Sequence, residues 1–155
     1  MPHINSSIQA ANRRVTHNWS MAVPAERLWW GLTDSEALPR WLGKLISGTF
    51  RAGNAITIEH AEGYFCTSRI QECAPQRILG MTWEFPDEPL SQLRIVLTPG
   101  GGSTHLELQH DGLGHQAADY LPGWHTHLLY LEALLLGEPR SMADFWSTYD
   151  GLTGS

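Results

Sequence analysis

The chain is short of cysteine, has no cluster of basic residues and has no long hydrophobic run. Its two cysteines, Cys66 and Cys73, lie on a stretch that reads as extended. On a strand, their spacing corresponds to about 23 Å and points them to opposite faces, which excludes a disulfide between them. Two free thiols in a reducing compartment are therefore expected. Ten Lys plus Arg oppose sixteen Asp plus Glu, giving a formal net charge of −6. Nucleic acid is thereby excluded as a general partner, because such affinity rests on neutralising phosphates. Anionic membrane surfaces are disfavoured on the same ground. The most apolar stretch, 128–136, contains Glu132 and is too short to span a bilayer. The first nine residues are polar and lack the apolar centre of a secretion signal. These absences predict a cytoplasmic protein.

Catalytic and metal motifs are also missing. There is no His-Glu-x-x-His, no Cys-x-x-Cys and no Gly-x-Ser-x-Gly. Gly100-Gly101-Gly102 precedes neither a helix nor a lysine, so it is a hairpin and not a phosphate cradle. His125 and His127 are two apart on a helical stretch, point about 200° apart and cannot share a metal ion. No metal, no cofactor and no paired carboxylates are expected.

What is present is periodicity. Val15, His17, Trp19 and Met21 alternate with polar residues, as on a half-buried strand. Pro24 can open a short helix. Thr33 to Glu36 has the form of a capping box that starts a second helix, containing Leu38, Pro39, Trp41 and Leu42. Strands are expected at 47–50, 55–60, 64–72, 77–85, 92–98 and 104–110, with turns short enough for an antiparallel meander. Ala117, Leu121, Trp124, Leu128, Leu131 and Leu135 recur at helical spacing, with a turn or bend expected around Pro122 and a stop at Gly137. Met142, Phe145, Trp146 and Tyr149 repeat that spacing in the tail. Residues 1–11 read as a flexible arm, 12–137 as the domain, and 138–155 as a tail with a short docked helix.

Four motifs in order resemble a known family: Val23-Pro24 through Trp41-Leu42, Gln71 through Trp83, Gly101-Gly102-Ser103-Thr104 through Leu113, and Gly123-Trp124 with Leu128 and Leu131. The chain resembles the START-like (SRPBCC) superfamily, in the branch of the activator of heat-shock-protein-ninety ATPase. The resemblance implies an α+β helix-grip (birch-pollen-allergen-like) fold: a curved antiparallel sheet wrapped around a long C-terminal helix, with two short helices after the first strand. It also implies an apolar cavity between sheet and helix.

Seven tryptophans and eight histidines furnish the candidates. Large rings fill a core equally well, but an apolar pocket with a few placed polar groups is what small-molecule sites require. Trp41, Tyr64, Trp83, His110, Trp124 and Leu128 are the expected lining of the cavity. The expected function is non-enzymatic binding, as carrier or sensor, of a small hydrophobic or aromatic molecule. A cyclase- or dehydratase-like enzyme using His110 for proton transfer is one alternative. A chaperone or protein-interaction module using the tail is another, and the tail could also serve a homodimer.

Overall fold

The computed structural model describes residues 3–9 and 14–153. Alternation builds its sheet. Strand β1 is His3–Gln9 and β2 is Arg14–Met21, followed by β3 (Lys44–Ser47), β4 (Ala55–Ala61), β5 (Tyr64–Ala74), β6 (Ile78–Trp83), β7 (Ser91–Gly100) and β8 (Ser103–Asp111). All neighbours are antiparallel, in the order β1-β2-β8-β7-β6-β5-β4-β3. After β2 the chain crosses to the far edge through helix α1 (Ala25–Thr33) and then meanders back until β8 lies beside β2. Register shifts interrupt β3, β4 and β5. Such bulges bend and twist a sheet, and this one curves around the long helix α2 (Ala117–Leu135). The fold is the helix grip.

Val15, His17, Trp19 and Met21 are fully buried on one face of β2, and Leu93, Ile95 and Leu97 are buried on β7. The α2 stripe meets them with Trp124, Leu128, Leu131 and Leu135. Each fully buried Leu contributes about 1.5–3 kcal/mol. Helix α1 crosses α2 at Gly31, where a Cβ would stand 2.7 Å from Leu131 Cδ1. Gly101 and Gly102, at φ 59° and 89°, make the tight turn between paired Gly100 and Ser103. Helix α2 ends in a Schellman motif: Gly137 has φ 85°, its N–H donates to the Leu134 carbonyl, and the Glu138 N–H donates to the Ala133 carbonyl.

Several expectations are corrected. The stretch read as a loose arm contains β1, whose backbone pairs with β2 and whose His3 ring packs on Trp19 at 4.9 Å. Residues 1, 2, 10 and 11 of that stretch, and its boundary with the domain, lie outside the described residues. The second short helix is a single 3-10 turn, Leu38–Arg40. Thr33 Oγ1 donates back to the Trp29 carbonyl, so it caps nothing; Asp34 Oδ1 accepts from the Glu36 N–H instead. The strand expected at 47–50 is displaced to β3 at Lys44–Ser47. Pro122 does not break α2. It sits in the second turn, where the one lost bond would use the carbonyl of exposed Ala118. Thr126 Oγ1 donates to the Pro122 carbonyl, and His17 Nε2 donates to that of Leu121.

Candidate functional site

A cavity of about 360 Å³ opens where the start of α2, the ends of β4–β6 and the helix α3 (Phe145–Thr153) converge. Its walls are largely aromatic. Tyr64 and Phe85 stack with ring centroids 4.4 Å apart and planes 6° apart. Trp83 lies 5.2 Å from Trp124 and edge-on to Phe85 at 5.9 Å. His60 and His127 complete the inner wall, and Met142, Phe145, Trp146 and Tyr149 close it from the tail.

The polar atoms of the wall are mostly engaged. Trp83 Nε1 donates to the Tyr120 hydroxyl at 3.1 Å, which donates to Glu88 Oε1 at 2.6 Å. Tyr64 donates to Asp87 Oδ1 at 2.6 Å. The β6–β7 loop is thus fastened to both β5 and α2. Burial, with these carboxylates beside them, pushes both tyrosine hydroxyls well above their ordinary pKa, so both remain protonated donors.

Of the six expected lining residues, Tyr64, Trp83 and Trp124 face the cavity. The other three do not. Trp41 is buried, with its Nε1 donating to the Gly31 carbonyl at 2.7 Å, while its own carbonyl accepts from His127 Nδ1 at 2.7 Å. It therefore fixes the tautomer of a wall residue from behind. Leu128 is fully buried in the core beneath the wall. His110 is also fully buried and sits in a closed chain. Trp124 Nε1 donates to His110 Nδ1 at 2.9 Å, so Nε2 carries the proton and donates to Ser91 Oγ at 2.7 Å; Ser91 in turn donates to the Trp83 carbonyl. Desolvation lowers the His110 pKa to about 3. Its role is to lock the two cavity tryptophans to β7 and β8.

His60 and the tail residues were not among the expected lining. His60 follows Ile56 and Ile58 on the inward face of β4, at the end of the strand that borders the cavity. The tail stripe was visible as a helical pattern, but nothing local says which surface it covers. Among the described residues no group of three or more His, Cys, Asp or Glu is placed to hold a metal ion. No helix among them is long and apolar enough to cross a membrane.

This geometry can be set beside known proteins. The family model described as "Activator of Hsp90 ATPase homolog 1-like protein" matches residues 22–135. The chain belongs to this family. None of the curated proteins matches it. Among solved structures, CalU16 from Micromonospora echinospora is 22% identical with a TM-score of 0.75, over 98% of this chain and 95% of that one. DynU16, a protein in the dynemicin biosynthetic locus, is 24% identical with a TM-score of 0.73, over 81% of this chain and 48% of that one. The Aha1 dimer from Colwellia psychrerythraea is 18% identical with a TM-score of 0.67, over 79% of this chain and 95% of that one. At these identities the likeness is one of fold. The family match ends before α3, so four cavity residues come from outside the matched region.

Proposed function

We propose that the protein binds a small, mainly apolar aromatic molecule in this cavity, as a carrier or sensor and not as a catalyst. The observation that carries the reading is a 360 Å³ cavity walled by aromatic rings already held in place by hydrogen bonds. Its volume falls in the range of small-molecule sites, roughly 300–1,000 Å³. Preorganised rings need little ordering on binding, which favours affinity. The catalytic alternative relied on His110, and that imidazole has both nitrogens committed and no cavity surface. Native mass spectrometry of freshly purified protein, followed by denaturing release, tests the proposal. An adduct of a few hundred daltons is expected, with affinity for the released molecule falling about tenfold in Trp83→Ala through loss of ring contacts. Unchanged affinity in both Trp83→Ala and Trp124→Ala would refute the site.

A further inference from the structure

The cavity wall offers acceptors and keeps most of its donors occupied. The N–H and O–H groups of Trp83, Trp124, Tyr64, Tyr120 and Tyr149 all donate to protein atoms. Two imidazoles remain. His60 Nε2 has no partner among the described residues, but it is sealed from the cavity, and no hydrogen bond sets the tautomer of its ring. His127 differs on both counts. Its Nδ1 lies 2.7 Å from the Trp41 carbonyl oxygen. A carbonyl only accepts, so Nδ1 carries the hydrogen, and in the neutral ring Nε2 is a bare lone pair. Burial keeps the ring neutral by lowering its pKa to about 4. Turning the ring over would cost the bond to Trp41, so the wall cannot present a donor at this point instead. His127 is half-buried on the wall, and Nε2, neither bonded among the described residues nor sealed, is an acceptor within reach of a bound molecule.

We infer that His127 Nε2 is the polar anchor of the cavity: it accepts a hydrogen bond from the ligand, so the site selects an aromatic molecule bearing an N–H or O–H over the same skeleton with an ether oxygen or a methylene in that place. This deepens the binding reading above and rests on it. An ether oxygen would set lone pair against lone pair, and a methylene would leave Nε2 desolvated without a partner. The carboxylates of Glu88 and Asp119, also on the wall, are acceptors and favour a donor in the same sense. The Trp146 indole N–H is a free donor among the described residues, but that side chain is largely exposed and its N–H is left to water.

Carbazole, fluorene and dibenzofuran share one tricyclic shape and differ at the bridging position, which is an N–H, a methylene or an oxygen. Equilibrium dialysis of the full chain against each probe gives the affinities. Carbazole should bind about tenfold tighter than fluorene, and dibenzofuran no tighter than fluorene. His127→Asn keeps a side-chain N–H for the Trp41 carbonyl and removes the Nε2 acceptor, so the ratio of carbazole to fluorene affinity should fall to about one. His127→Phe, which keeps a ring in place, is the second variant should the first fail to fold or to bind fluorene. Equal wild-type affinity for carbazole and fluorene, dibenzofuran binding as tightly as carbazole, or a carbazole preference that survives both variants overturns the assignment while the cavity stands as a site. Failure of all three probes to bind wild-type protein overturns the binding reading and this inference with it.

Discussion

Four imidazoles in this fold are held neutral by burial, and acid should therefore unfold it early. The pKa values of His17 and His127 are lowered to about 4, and those of His60 and His110 to about 3, from an ordinary value of 6.5; desolvation is the main cause in each. For a base with a depressed folded-state pKa, the unfolded chain binds the proton first. Stability is therefore complete above the ordinary value and declines as pH falls from it toward the folded-state values. At about pH 5 each of the four is almost fully protonated when unfolded and mostly neutral when folded, costing roughly 2 kcal/mol apiece. The fully buried pair, His17 and His110, supplies about half of a total near 8 kcal/mol. That is comparable to the whole stability of an ordinary domain, about 5–15 kcal/mol, and it arises before most carboxylates titrate. Urea titrations at a series of pH values between about 7 and 5 measure it. His110→Gln should reduce the mean slope across this interval by about 1 kcal/mol per pH unit. A stability unchanged within about 1 kcal/mol across that interval would refute the assignment of neutral buried histidines.

Three further outcomes follow from other contacts. Ser91→Ala leaves the His110 Nε2–H without its acceptor and should cost about 1–3 kcal/mol, read as a Tm several degrees lower by calorimetry; an unaltered Tm would dismiss the closed chain. Gly43→Ala places a Cβ 2.6 Å from the Glu59 carbonyl oxygen and 2.7 Å from Ile58 Cγ2, so a loss above about 1 kcal/mol is expected, whereas Gly100→Ala, with nothing within 4 Å, serves as the neutral comparison. Trp146→Ala removes a cavity residue that is 66% exposed; stability should change by less than about 0.5 kcal/mol while the captured ligand is released faster, and equal release rates would remove α3 from the site.

Much of the architecture was legible from residue spacing. The alternation of Val15, His17, Trp19 and Met21, and that of Leu93, Ile95 and Leu97, matches the buried face of the sheet, because a pleated strand with one wet face admits no other register. Gly137 marks the end of α2 as expected. The misreadings have local physical causes. Asp34 outcompetes Thr33 for the orphan N–H groups, and Pro39 leaves only one 3-10 turn. The cavity was harder to read than the fold. Tyr64, Trp83 and Trp124 reach it, but Trp41, His110 and Leu128 sit one layer behind, and a pattern of inward-facing residues does not separate the two layers. His60 is the reverse case: it shares the inward parity of Ile56 and Ile58 and was legible from the period of two, but it stands at the strand's polar end, where the apolar signal has stopped.

Helix α3 gives the cavity two independent sources. The sheet and α2 supply a fixed frame, while Met142, Phe145, Trp146 and Tyr149 arrive on a separate segment anchored by Phe145, which is buried in the core with its ring 4.5 Å from His127 and 5.5 Å from Tyr130, and by the Tyr149 hydroxyl on the Asp119 carbonyl at 3.2 Å. Exposed Trp146 is the part of that wall that can be exchanged without disturbing the core. Varying the side chain at 146 while keeping Phe145 reshapes the mouth of the cavity and leaves the folding instructions alone.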